Sequence, residues 1–213
     1  GTACQALQET LDLATFVDGL VYYRYWLAEH HNLSSLGCAS PEILIPQVAA
    51  GTTRIRVGSG GIMLPHYSPL KDEEVFHMIE ALYPGRIDLG VGRAPGADMN
   101  TARALACDTD SMAIEGFQDK LTELHGFLSG DFPSDHPYRR IRAMPDDVGM
   151  PQLWLLGSSN VASLYAANLG WAFSFAHFIS PEGGQAVIRS YRENFIASSV
   201  QNESNVNLGV AVT

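Results

Sequence analysis

Cysteine is scarce in this sequence: Cys4, Cys38 and Cys107 are the only three in 213 residues, far apart and in no C-x-x-C spacing. An odd number at such distances argues against a disulfide framework and against a structural zinc site, and fits reduced thiols in a cytoplasmic protein. Positive charge is scarce as well. Thirteen Lys and Arg stand against 23 Asp and Glu, a formal charge of −10, which argues against a general nucleic-acid surface. Arg139, Arg140 and Arg142 form the only basic cluster, too short to reverse that balance, and read as a solvated loop. No window approaches the run of about 18 apolar residues that a membrane span needs, and the N-terminus has no basic-then-apolar leader pattern. The expectation is a cytoplasmic protein without membrane or nucleic-acid partners.

What is present is a 46% hydrophobic composition, enough to bury the core of one domain over residues 1–213. Ala6, Leu7, Leu11, Leu13, Ala14, Val17 and Leu20 recur at helical spacing and lead into an apolar strand over 24–29. Ser40-Pro41-Glu42 supplies an N-cap with proline at the first helical position, opening a helix to about 51. A strand over 55–64, a helix over 69–82, a turn at Tyr83-Pro84-Gly85-Arg86 and a strand over 87–93 follow. The stretch 101–128 reads as helix with a break near 108–110, and 129–149 as a long polar connection. Strands over 153–157, 172–176 and 206–212 then alternate with helices over 159–169 and 181–197. The pattern begins in a helix and ends in a strand with nothing after it, so both ends are expected to be truncated.

Short apolar strands alternating with helices imply right-handed crossovers and a parallel sheet buried on both faces. An open doubly wound sheet and a closed eight-stranded barrel both satisfy this. The strand ends favour the α/β barrel, because nearly every one carries polar residues or glycine: Glu29, His30 and His31; Ser59, Gly60 and Gly61; Arg93; Ser158 and Ser159; His177. A barrel gathers such ends into one mouth. With six strands in view, a (β/α)8 TIM barrel would lack its first and last.

The polar strand ends suggest specific chemistry. In Leu155-Leu-Gly-Ser-Ser-Asn160 a strand breaks at Gly157 and a helix begins, so free N–H groups, the helix dipole and the hydroxyls of Ser158 and Ser159 make an anion site or a plain N-cap. Arg93 at a neighbouring strand end adds a forked donor and favours a phosphate monoester. Gly90-Val-Gly-Arg-Ala-Pro-Gly96 lacks the G-x-G-x-x-G spacing of a dinucleotide fold. Gly58-Ser-Gly-Gly61 lacks a P-loop lysine, and its glycines would admit a planar ring against the backbone. His30, His31, His66 and His177 near strand ends invite a metal reading. Adjacent strand residues point to opposite faces, so His30 and His31 could turn inward together only if the strand had already ended, and no metal is assigned. His77, His125 and His136 read as surface residues.

RYWLAEHHN at 24–32, RIRVGSGGIMLPHYSPL at 54–70, LYPGRIDLGVGRAPG at 82–96 and LWLLGSS at 153–159 together resemble the luciferase-like flavin monooxygenases, over nearly the whole chain. The resemblance implies a (β/α)8 barrel with FMN at its C-terminal mouth, reduced by a separate flavin reductase, and O2 as co-substrate for oxidising a small organic molecule. It also implies His30 as the active-site histidine beside the flavin ring, a non-proline cis peptide at Gly60 and Gly61 under that ring, and Arg93, Gly157, Ser158 and Ser159 around the phosphate. Relatives assemble as dimers through helices that fall here at about 41–50 and 68–82, so a homodimer is expected.

Two departures accompany the match. Ala162 stands where relatives commonly place a serine or threonine on the phosphate, and Gly92 replaces the cysteine near the flavin in luciferase itself, so light emission is not implied. A deazaflavin (F420)-dependent reductase of the same fold, and a non-catalytic flavin-binding relative, are the competing expectations. The substrate is not legible.

Overall fold

A computed structural model describes residues 1–106 and 114–211. Cys107, the expected helix break near 108–110 and the end of the last expected strand at Val212 lie outside the described residues. The element order is α1 (Ala3–Gly19), β1 (Arg24–Leu27), α2 (Pro41–Gly51), β2 (Arg56–Ser59), β3 (Ile62–Met63), a 3-10 turn (Leu64–His66), α3 (Pro69–Leu82), β4 (Ile87–Gly92), α4 (Met99–Leu105), α5 (Ile114–Ser129), β5 (Gln152–Gly157), α6 (Asn160–Leu169), β6 (Ala172–Ala176), α7 (Gly184–Asn194) and β7 (Val206–Gly209).

Every strand pair is parallel, in the order β1-β2-β4-β5-β6-β7, with β3 also on β4. The sheet is a curled half-barrel of six staves, because β2 and β3 are two pieces of one expected strand, parted at Gly60-Gly61, whose peptide bond is cis. The strands β1 and β7 form its two edges.

The curl sorts the side chains. On the convex face Leu27, Val57, Ile87, Leu89, Val91, Leu153, Leu155, Phe173 and Phe175 pack with Ile45, Phe76, Leu124 and Tyr191 of the helices into one core. Burying these residues is the main favourable contribution to folding. On the concave face stand the alternate residues, and there β2 and β4 approach closely. A methyl on Gly58 would lie 2.2 Å from the Asp88 carbonyl, and one on Gly90 2.2 Å from that of Ser59. Only glycine permits that spacing.

The helices begin where the sequence places N-cap residues. Thr2 and Gln5 close a capping box on α1, Asp98 caps α4, and Pro41 and Pro69 open α2 and α3. At the C-terminus of α1 the Asp18 carboxylate accepts N–H bonds from Thr53, Arg54 and Ile55, and these, the Thr53 bond foremost, hold its pKa down to about 2. Three elements are shorter than expected. The first strand ends at Leu27 rather than Glu29, because beyond it the backbone turns to loop partners, His30 N–H to Cys38 and His31 N–H to Gly96. The helix expected over 181–197 spans only Gly184–Asn194, with Gly183 at positive φ before it, and β7 stops at Gly209.

Candidate active site

The two ends of the staves differ in chemistry. At the N-terminal ends, the buried Asp88 carboxylate on the concave face accepts from Arg24 Nε at 2.9 Å, Arg56 Nε at 2.7 Å and Trp26 Nε1 at 2.9 Å. The Arg24 guanidinium also lies 4.6 Å from the Trp154 ring centroid, and Trp154 meets Trp26 edge-on at 5.2 Å. Charge, hydrogen bonds and aromatic rings occupy the concave face at this end.

At the C-terminal ends the polar groups are open. Arg93 follows β4 directly and is exposed, with no side-chain hydrogen bond or ion pair among the described residues. The last pair of the β4–β5 ladder is Val91↔Leu155, so Arg93 and Gly157 each follow two residues beyond it, at the C-terminal ends of adjacent staves. Ser159 caps α6, its hydroxyl accepting from the Ala162 N–H at a long 3.4 Å, and Ser158 beside it is half-buried. A methyl on Gly157 would lie 2.4 Å from the Ala162 Cβ, so glycine is what brings the helix N-terminus against the strand end. A methyl on Gly92 would meet nothing within 4 Å, which leaves open space over the end of β4.

His30 lies in the loop after β1, half-buried, with no side-chain hydrogen bond among the described residues. Its neighbours are held elsewhere. Glu29, wholly buried, accepts from His31 Nε2 at 2.6 Å and from the Met63 N–H at 2.8 Å. Cys38, Glu42 of α2, and Tyr67 and Asp72 around the start of α3 lie close enough for the Glu29 charge to bear on them. Burial, reinforced by Glu29 and Glu42, pushes the Asp72 carboxyl well above its usual range, and burial likewise raises Tyr67 and Glu42. It lifts the Cys38 thiol to about 11, an inert thiol.

The structure thus brings Arg93, Gly157, Ser158 and Ser159 together at adjacent stave ends, with the Gly60-Gly61 peptide on the neighbouring stave and His30 at the end of the next. His31 turns to Glu29, and His66 donates through Nε2 to the Pro95 carbonyl at 2.9 Å. His77 and His125 are not surface residues as expected. The His77 side chain is 13% exposed, and His125 accepts from Trp171 Nε1 at 3.0 Å through Nδ1. Arg139, Arg140 and Arg142 are exposed in a loop, as expected. Among the described residues no three His, Cys, Asp or Glu side chains are grouped as metal ligands, and no helix is long and apolar enough to cross a membrane.

The family model for luciferase-like monooxygenases matches residues 1–213. The chain belongs to the luciferase-like monooxygenase family. It is 45% identical over 193 residues to the uncharacterized protein YceB of Bacillus subtilis, covering 91% of this chain and 58% of that protein. It is 42% identical over 196 residues to the N-acetyl-S-alkylcysteine monooxygenase of the same organism, covering 92% of this chain and 58% of that enzyme. Among solved structures, apo-MsnO8 superposes with a TM-score of 0.86 at 39% identity, over 97% of this chain and 60% of that one. Two more distant structures share the fold. The oxygenating constituent of 3,6-diketocamphane monooxygenase from Pseudomonas putida, in complex with FMN, has a TM-score of 0.69 at 16% identity over 91% of this chain and 57% of that one. An F420-dependent secondary alcohol dehydrogenase has 0.68 at 14% over 88% and 59%. The chain spans 57–62% of the length of the curated Bacillus subtilis relatives YceB, YvbT and YwcH.

Residue types at the strand ends pointed to Arg93, Ser158 and Ser159, and the family resemblance to His30, Gly60 and Gly61, but neither pointed to the buried partners. Glu29 was visible only as part of a polar run, and no periodicity reveals that it binds Met63. Asp88 carried a usable signal, a single charge inside the apolar strand Ile87-Asp-Leu-Gly-Val-Gly92.

Proposed function

We propose that this chain is the flavin-binding part of a monooxygenase that uses reduced FMN and O2 to oxidise a small organic substrate, with a separate flavin reductase supplying the reduced cofactor. The observation that carries this reading is Arg93, without a side-chain partner among the described residues, at the stave end adjacent to the Gly157–Ser159 turn and the N-terminus of α6. A guanidinium fork, two hydroxyls and free helix N–H groups form the donor set a phosphate dianion requires. In this reading Arg93, Gly157, Ser158 and Ser159 hold the phosphate, and Gly60 and Gly61 lie against the ring. FMN, when bound, supplies the redox chemistry. The glycine-lined wall lets a flat ring approach the backbone, and the apolar staves exclude water from it. His30, whose side chain has no hydrogen bond among the described residues, donates or accepts a proton at the reacting centre.

Exposed Ile43 on α2 and Met78 and Leu82 on α3 support a homodimer through these helices. The 42% identity to a curated monooxygenase favours oxygenation over the F420-dependent reductase reading.

Titration of the purified protein with FMN, riboflavin and F420, followed by flavin fluorescence, tests the reading. FMN is expected to bind about 10–100-fold more tightly than riboflavin, the contribution of charge-assisted hydrogen bonds to one phosphate, and Arg93→Ala to remove that difference. Equal affinity for FMN and riboflavin overturns the phosphate site. Tighter binding of F420 transfers the site to the reductase reading, and FMN binding without oxygen consumption above that of free flavin reduces the chain to a carrier.

A further inference from the structure

The mouth is built from three separate chain segments: residues 28–38 bearing His30, the β3 strand and 3-10 turn after the Gly60-Gly61 peptide, and residues 93–98 bearing Arg93. Segments without regular structure hold a geometry only where side chains or backbone bonds tie them. The ties here are specific. His31 N–H donates to the Gly96 carbonyl at 3.0 Å, Asn32 Nδ2 to Asp98 at 3.1 Å, and His66 Nε2 to Pro95. Gly96, at φ +60°, packs so tightly that a Cβ would sit 3.0 Å from the Glu29 carbonyl and 3.2 Å from Met63 Cγ. Lys120 of α5 braces the same turn from outside, donating to the Pro65 and Tyr67 carbonyls at 2.9 and 2.6 Å.

Glu29 stands where the ties cross. One carboxylate oxygen receives the His31 imidazole and the other the Met63 N–H, so a single side chain fixes the loop after β1 against the segment just past the Gly60-Gly61 peptide. Its charge is isolated from water, and the other acids beside it do not share its bonds. Glu42 Oε2 and Asp72 Oδ2 are buried without a hydrogen-bond partner among the described residues. His30, between these two in sequence, has no side-chain hydrogen bond among the described residues.

We propose that Glu29 is a positioning residue: its carboxylate locks the His31 ring and the Met63 backbone together and thereby sets the placement of His30 relative to the glycine wall. The role of His30 toward a flavin rests on the function proposed above, whereas the bridge itself does not. A buried carboxyl oxygen at 2.6 Å from a shielded imidazole nitrogen forms a short hydrogen bond that holds the ring proton. The bridge therefore predicts a downfield, slowly exchanging His31 Nε2–H proton in the NMR spectrum of the protein without flavin.

Glu29→Gln keeps the shape and an oxygen for Met63 but removes the anionic acceptor. The expected result is loss of the His31 ring N–H signal, FMN affinity within about threefold of the starting protein, and loss of the shift that FMN binding produces in the His30 ring signals, since a misplaced group loses its register with a ligand before the ligand loses its affinity. Glu42→Gln, a change in the same buried cluster, is expected to leave both ring signals in place. Absence of the downfield proton in the unaltered protein overturns the proposal without any variant having to fold. Its persistence in Glu29→Gln, or its loss in Glu42→Gln as well, overturns it equally. If the unaltered protein binds no flavin, the function above falls while the ring-proton comparison still decides the role of Glu29.

Discussion

The two ends of the sheet carry similar residues put to opposite use. At the base, two arginines and a tryptophan N–H share one buried carboxylate; at the mouth, Arg93, Ser158 and His30 have no side-chain partner among the described residues, and Ser159 holds only the long bond of its helix cap. The base gains stability from this shared anion. The mouth gives up such contacts and keeps donors available, the division expected of a barrel whose loops at the strand C-termini carry function.

The sharpest way to break this comparison is to unpair the base. Asp88→Ala leaves Arg24 and Arg56 without their shared anion in a buried place and is expected to lower stability by about 3–5 kcal/mol in urea denaturation. A loss under about 1 kcal/mol would mean that the network is solvated and the contrast false. At the mouth, His30→Ala should leave the urea midpoint and FMN affinity nearly unchanged while turnover falls about 10²–10⁴-fold. Parallel loss of affinity and turnover would make His30 a binding residue instead.

Gly157→Ala tests whether the mouth depends on close approach of backbone rather than on side chains. The new methyl collides with Ala162, so a cost of about 1–3 kcal/mol is expected, together with weaker binding of FMN but not of riboflavin. The smallest effect concerns a site belonging to neither end. Burial, with the charge of Glu74 added, pushes the Glu73 carboxyl of α3 from its usual 4.5 up to about 8. The folded chain thus holds this proton more tightly than the unfolded one, and the stability so contributed is complete below pH 4.5 and is lost as pH rises toward 8. Glu73→Gln should therefore raise Tm at pH 8 by about 2–4 °C, on the order of 1 kcal/mol, and leave it almost unmoved at pH 4. Equal shifts at both values would assign the effect to packing.

Much of the fold could be read locally. The helices at 41–51 and 69–82 and the strand over 172–176 stand where proline caps and apolar runs placed them. The errors share a cause. Leu27 ends its strand because backbone bonds beyond it pass to other loops, at Cys38 and Gly96, and β2 and β3 are separate pieces that both pair with β4. His77 and His125 read as surface residues because polarity predicts exposure only until another segment covers it, as the side chain of Trp171 shows at His125.

By itself the sequence determined the alternation of strands and helices, the polar and glycine-rich strand ends and the family, because each is written in neighbouring residues through period, capping and motif. Tertiary structure alone decided which ends face each other, that Asp88 neutralises two arginines, that Glu29 joins residues 31 and 63, and that Arg93 and Gly157 lie at the ends of adjacent staves. Those are matters of strand register and sheet curvature, which depend on contacts among residues far apart in the chain.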